Sequence, residues 1–254
     1  MSSRKYARTA CAAALAALSF GVQAQISGGS VKIGVLTDLS GTYSDLAGSG
    51  AVLATRMAID DFIANEKPSF KIEVVTADHQ NKADIASNKA REWIERENVD
   101  TVTELVTTST ALAVMKVAKE KDRVVIMNGP ASTPITNEQC NDVSVHYTYD
   151  TYALANGTAK AVTTQGGKSW FFLTADYAFG HALEKDSSAV VTANGGKVLG
   201  AVRHPFPGSD FSSFLLKAQA SGAQVIGLAN AGADTTNAIK QAAEFGITPK
   251  QSLA

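Results

Sequence analysis

The feature that most constrains this chain is an alternation of short apolar runs with stretches of helical periodicity, and it runs through twice. The apolar runs are Val31–Leu36, Lys71–Ala77, Thr101–Val106, Val124–Asn128, Ser169–Thr174, Lys197–Val202 and Gln224–Ala229. They are short and rich in Val, Ile and Phe. Several lack polar alternation, as strands buried on both faces of a parallel sheet do. Between them, Gly50–Asn65 places Ala54, Met57, Ala58, Phe62 and Ile63 on neighbouring turns of one helical face, and Asp84–Glu97 carries Ile85, Trp93 and Ile94 against a charged back. Further helices are predicted over Thr110–Glu120, Thr151–Thr164, Ala178–Thr192, Asp210–Ala220 and Asp234–Phe245, the last closed by Gly246. This order argues for an α/β fold with open parallel sheets and helices on both faces.

The first series ends near Asn128. A loop with two prolines and Cys140 follows from Gly129 to Tyr149, and the second series opens at Asp150, which is placed to cap a helix. Two lobes are therefore expected, 25–148 and 149–254; one continuous seven-stranded sheet is the alternative. The second lobe has only three predicted strands. The segment Gln251-Ser252-Leu253-Ala254 falls where another should begin, so this lobe is expected to be incomplete in the sequence given.

The N-terminus has the grammar of an export signal. Arg4, Lys5 and Arg8 precede an uncharged, Ala- and Leu-rich stretch from Thr9 to Ala24, which predicts a leader over 1–24 and cleavage before Gln25. No later stretch reaches the roughly 18 unbroken apolar residues of a membrane span. Formal net charge is −1 with both signs scattered, so nothing supports nucleic-acid binding. Cys11 leaves with the leader. Cys140 is then alone in an oxidising compartment, where it is expected to be buried or to pair outside this sequence.

In open α/β sheets ligands sit beyond the carboxyl ends of strands. After the first predicted strand comes a small-residue loop, Thr37 to Gly50, whose Tyr43 is either a ligand wall or an exposed loop tyrosine. The loop is not a dinucleotide fingerprint. After the third strand, Thr107-Thr108-Ser109-Thr110 sets four hydroxyls at a helix start. That is either an anion site or one N-cap among β-prone threonines. The fourth strand ends in Gly129-Pro130-Ala131-Ser132-Thr133-Pro134, which offers close backbone approach and a hydroxyl, or a stiffened turn. In the second lobe, Asp176 could pair an ammonium beside Tyr177 and Phe179. Asn230-Ala231-Gly232-Ala233-Asp234 is a further polar strand end, with Asp234 alternatively an N-cap.

Enzyme signatures are missing. Gly166-Gly167-Lys168-Ser169 is similar to a P-loop tail, but Val162 stands where its first glycine is required. There is no G-x-S-x-G elbow and no H-E-x-x-H. His79, His146, His181 and His204 have no ligand spacing, and Asn156-Gly157-Thr158 is a chance sequon on a predicted helix.

Taken in order, these segments resemble the leucine/isoleucine/valine-binding protein family, periplasmic receptors of ABC importers for branched-chain amino acids, amides, urea and aromatic acids. The resemblance rests on Lys32-Ile33-Gly34-Val35-Leu36 with Leu39-Ser40-Gly41 and Gly48, on Leu105 to Thr110, on Pro130-Ala131-Ser132, on Tyr149-Asp150-Thr151-Tyr152, on Asp176-Tyr177-Ala178-Phe179-Gly180 and on Gly208-Ser209-Asp210-Phe211. It departs at Asn65-Glu66-Lys67-Pro68-Ser69, which replaces a Gly-rich turn, and at Ala231, where an aromatic is common. The resemblance implies two Rossmann-like lobes with parallel sheets, the type I periplasmic binding protein fold. It implies a periplasmic monomer without cofactor or catalysis that captures a small carboxylate, an amino acid or an aromatic acid, by hinge closure and delivers it to a membrane permease. The ligand set it implies is Tyr43, Leu46, Thr107, Thr108, Pro130, Ala131, Ser132, Tyr152, Phe179, Asn230 and Asp234. A sensor ectodomain of the same fold and an exported α/β enzyme are the alternatives.

Overall fold

A computed structural model describes residue 26 and residues 29–254, and the predicted leader with its cleavage site lies outside them. Two parallel sheets form. In the first, strands β1 (Ser30–Thr37), β2 (Lys71–Asp78), β3 (Thr101–Glu104), β4 (Val124–Met127) and β5 (Ser144–His146) lie in the order β2-β1-β3-β4-β5. In the second, β6 (Ser169–Ala175), β7 (Lys197–His204), β8 (Val225–Ala229) and β9 (Ser252–Leu253) lie in the order β7-β6-β8-β9. The single seven-stranded sheet is thereby excluded. The expected lobe boundary near residue 148 falls between His146 and the next helix.

Both sheets start in their interior and reverse direction once, between β1 and β3 and between β6 and β8. In doubly wound folds such reversal points hold the ligand crevice. One strand, the edge strand β5, went unpredicted: it is three residues inside a loop without periodicity. Strand β9 pairs two residues with β8, where the sequence had suggested that a strand begins.

Helices α1 (Gly48–Glu66), α2 (Ala83–Arg96) and α3 (Thr108–Lys121) belong to the first sheet. On one face of the sheet, α2 and α3 bury Trp93, Ile94, Val114 and Met115 against Val102, Val125 and Met127. Trp93 fits because Gly34 of β1 has no side chain: a Cβ there would stand 2.6 Å from its ring. Gly34→Ala is therefore expected to cost about 1–3 kcal/mol by overpacking, seen as a lower denaturation midpoint at unchanged slope. An unchanged midpoint would show that Trp93 can shift freely. The apolar face expected for α1 does not reach a core. Leu53, Met57, Phe62 and Ile63 are exposed, as are Val124, Ile126 and Val145 on the sheet.

In the second lobe, α4 runs through an α-helical start (Thr151–Leu154), a π turn (Ala155–Ala159) and an α-helical end (Lys160–Thr164). Asp150 caps it, accepting the Ala153 N–H at 2.9 Å. The sequon at Asn156 falls in the π turn, where Asn156 Nδ2 donates to the Tyr152 carbonyl at 2.9 Å. Helices α5 (Ala178–Ala193), α6 (Ser212–Ala220) and α7 (Gly232–Glu244) complete the lobe. With α4, α5 buries Trp170, Phe172 and Val191 on one sheet face, and α6 with α7 buries Leu173, Phe211, Leu215 and Ile226 on the other. Gly246, with φ +62°, ends α7 as expected: its N–H reaches the Ala243 carbonyl and that of Ile247 reaches Ala242, both at 3.0 Å. Among the described residues no helix is long and apolar enough to cross a membrane. Cys140 is exposed and free, which corrects the expectation of a buried thiol: it sits in the polar loop before β5, where nothing packs over it.

Candidate functional site: a cleft between two sheet ends

The loop after β1 is held by one carboxylate. Asp38, fully buried, accepts the N–H groups of Gly41 at 2.7 Å and Tyr43 at 2.8 Å, and the side-chain amide of Asn81. The ring of His79 beside it donates nothing: its Nδ1 accepts the Asn81 N–H at 3.0 Å, its Nε2 is buried without a partner, and burial pushes its pKa down to about 4, so the ring stays neutral. Pinned in this way, Tyr43 points into the second lobe and is only 2% exposed, which removes the exposed-loop alternative.

Its hydroxyl lies 2.6 Å from that of Tyr177, from the turn after β6. Phe206, after β7, stacks on Tyr177 with ring centroids 4.1 Å apart and packs obliquely on Tyr43 at 5.4 Å. Gly232, with φ +61°, opens α7 against the Tyr43 ring, and a Cβ there would collide with it at 2.6 Å. The two lobes therefore meet through an aromatic cluster that admits no side chain at residue 232. Desolvation raises both phenol pKa values well above normal, so both stay protonated and the pair remains a neutral hydrogen bond. Farther along, Asp186 of α5 accepts from the hydroxyls of Thr133, at 2.9 Å, and Thr151, at 2.5 Å.

Beside the aromatic cluster is a cavity of about 750 Å³. Thr42, Asp45 and Leu46 line it from the first lobe, Tyr149 from the crossing between lobes, and Phe179, Trp170, Phe172 and Asn230 from the second. A second cavity of about 650 Å³ shares Asp45, Leu46 and Tyr149 with the first and runs under the start of α1 to Glu104, Asn128 and Gly129. The volume and mostly apolar walls of the larger cavity suit a small organic molecule, and the second cavity is nearly half polar.

The residues expected to form the site divide into three groups. Leu46, Phe179 and Asn230 line the large cavity, with Tyr43 just behind it. Asn230 is oriented by Thr235, whose hydroxyl donates to Oδ1 at 2.6 Å, and by His204, whose Nε2 stands 3.3 Å from Nδ2. Burial lowers the His204 pKa, and its Nδ1 donates to the Pro205 carbonyl at 2.9 Å, so Nε2 accepts.

The second group, Thr107, Thr108, Pro130, Ala131 and Ser132, is buried at the ends of β3 and β4 but lines neither cavity. The Thr107 and Thr110 hydroxyls bond each other at 2.7 Å, and the Thr107 side chain makes no capping bond. The Thr108 and Ser132 hydroxyls are buried without partners. His146 donates from Nε2 to the Pro130 carbonyl at 2.6 Å.

The third group turns away. Tyr152 is 64% exposed. Asp234 is neither cavity wall nor N-cap. It sits inside the first turn of α7, because Gly232 lets the helix start two residues earlier, and both its oxygens accept the Gly208 N–H at 3.2 Å. Burial raises its pKa to about 6. Asp176 is engaged by His181 at 2.7 Å. Sequence reasoning missed Asp38, Phe206, Asp186 and Glu104. Of these only Phe206 carried a local signal, as an apolar residue isolated between prolines.

These features have counterparts in known proteins. A solved periplasmic binding protein from Burkholderia mallei is 57% identical and superposes with a TM-score of 0.85, the match covering 90% of this chain and 60% of that one. The periplasmic ligand-binding protein of a branched chain amino acid ABC transporter from Burkholderia xenovorans is 37% identical, with a TM-score of 0.70 over 88% of this chain and 60% of that one. A solute-binding protein of an R. palustris ABC transporter, solved with 4-hydroxybenzoate, is 25% identical, with a TM-score of 0.77 over 88% and 61%. The Leu/Ile/Val-binding protein homolog 6 of Brucella abortus is 29% identical over 200 residues, which are 76% of this chain and 49% of that protein. The chain thus spans about half to three fifths of these relatives' lengths. The family described as periplasmic binding protein matches residues 30–254, and the chain belongs to that family.

Proposed function

We propose that this chain supplies the solute-capturing cleft of an extracytoplasmic receptor for an ABC importer, and that the solute is a small carboxylate. The observation that carries this reading is the large cavity, which is walled by the loop after β1 from the first lobe and, from the second, by Phe179, the end of β8 at Asn230 and the β6–β8 sheet face. The first lobe would take the carboxylate at the ends of β3 and β4, where the buried Thr108 and Ser132 hydroxyls lack partners; they line neither cavity here, so the lobes must part to admit the solute. The second lobe would close over it with Phe179 and Asn230, and the Tyr43–Tyr177 pair would join the lobes in the loaded form that docks on a permease. Two relatives support the ligand class: one is named for branched-chain amino acid transport and the other holds 4-hydroxybenzoate. The leader predicted over 1–24 supports a periplasmic location.

The test is thermal unfolding of the complete protein with leucine, isoleucine, valine, benzoate and 4-hydroxybenzoate. A ligand at about 100 times its Kd adds roughly 2.7 kcal/mol, which raises Tm by several degrees in a protein of this length or longer. A flat response from a folded protein free of co-purified solute would overturn the proposal.

A further inference from the structure

The second cavity contains a group that the capture mechanism above does not use. Glu104 closes β3 at the point where the first sheet reverses, and it is 3% exposed. Its Oε1 is buried without a hydrogen-bond partner. The Thr37 hydroxyl is near but likewise unpartnered. Room for the carboxyl comes from Gly129 at the end of β4, where a Cβ would stand 2.7 Å from Oε1.

The backbone is unusual as well. Glu104 and Leu105 have φ of +86° and +58°, a strained conformation for non-glycine residues that persists mostly at functional sites. The other residues facing this cavity are Ser44, Asp45, Leu46 and Ser49 around the start of α1, Asn128 and Gly129 after β4, and Thr148 and Tyr149 at the crossing between lobes. Among the described residues none that lines it is Lys, Arg or His, so two carboxyl groups border a cavity whose lining brings no cation.

A buried carboxyl with an unpaired oxygen destabilises the fold, and one in the wall of a cavity that shares residues with a ligand cleft is relieved by a donor on the ligand. We propose that Glu104 is a specificity-determining residue, which accepts the protonated amine of the captured solute and selects amino acids over simple acids. This rests on the receptor reading and narrows it. Desolvation raises the Glu104 pKa to about 7, so a solute cation must displace the proton that the empty site holds near neutrality. Asp45 and Tyr149 are the other titratable groups facing the cavity. Affinity for an amine-bearing solute should therefore fall as pH drops from 8 to 6.

The experiment is calorimetric titration of the complete protein and its Glu104→Gln variant with each common L-amino acid, its desamino counterpart, benzoate and 4-hydroxybenzoate, at pH 6, 7 and 8. Circular dichroism melts check that the variant folds. The expected result is an amino acid bound at least about tenfold more tightly than its desamino acid, an affinity reduced about tenfold or more in Glu104→Gln, and loss of the pH dependence. Tight binding of a simple acid, unchanged in Glu104→Gln, would overturn the role of Glu104 and leave the receptor standing. So would an amino acid bound equally well by both proteins with the same pH profile. No binding to any probe would overturn both.

Discussion

Asp38→Ala is expected to lower stability by about 3–5 kcal/mol and to release the Tyr43 loop from the cleft. The carboxylate is fully buried and accepts three donors, the N–H groups of Gly41 and Tyr43 and the Asn81 amide. Alanine leaves all three unpaired in a site with no room for bulk water, and each lost bond to a charged acceptor is worth roughly 1.5–3 kcal/mol. The full sum is not reached, because the freed loop can swing out and hydrate its own backbone. That same motion would separate Tyr43 from Tyr177 and undo the contact between lobes. Asp38→Asn, which keeps one acceptor oxygen, should fall between the variant and the parent. Urea unfolding reads the loss as a shift in midpoint. A change below about 1 kcal/mol would mean that the loop is held by its own turns, such as the Ser44 N–H to the Gly41 carbonyl at 3.1 Å, and not by Asp38.

The parallel αβ order was legible because strands buried on both faces need continuous apolar runs, and Val31–Leu36 or Ser169–Thr174 have no other plausible use. What pairing alone creates was only partly legible: a strand was expected to begin at Gln251–Ala254, where β9 pairs with β8, whereas the three-residue β5 exists because β4 offers its edge. Helix starts slipped where acidic residues suggested caps. Asp210 instead closes a turn before α6, accepting the Ser212 N–H at 2.9 Å, while Asp234 lies inside α7. In the site, single-loop features such as Leu46 and Phe179 could be read locally. The Tyr43–Tyr177 bond spans 134 residues of sequence, and no local pattern encodes it. Glu104 was hidden for a different reason. Within Thr101–Val106 it counts as one polar residue in a strand, and only the left-handed backbone at its end shows that the strand has stopped there.

Glu104→Gln is expected to gain about 3 kcal/mol of stability relative to the parent between pH 4.5 and pH 7.5. The carboxyl ordinarily titrates at 4.5, but burial moves it to about 7 in the folded protein. Below pH 4.5 both folded and unfolded chains hold the proton, and the residue makes no pH-dependent difference. From 4.5 to 7 the unfolded chain gives up its proton while the folded one keeps it. Stability therefore declines as pH rises, by roughly 1.4 kcal/mol for each tenfold change in proton affinity. Glutamine cannot ionise, so the variant escapes the decline. The parent alone would not isolate Glu104. Asp234, its pKa raised from 3.8 to about 6, acts in the same sense between pH 3.8 and 6. His79 acts in the opposite sense: its pKa falls from 6.5 to about 4, so its contribution is complete above pH 6.5 and is lost as pH falls towards 4. Only the difference between variant and parent, measured by chemical denaturation across this range, isolates Glu104. A difference that does not change with pH would mean that water or a neighbouring donor already solvates the carboxylate. A rising difference would show that the fold carries an unsatisfied acid at the mouth of its cleft, a local cost that natural sequences usually retain only where it serves binding.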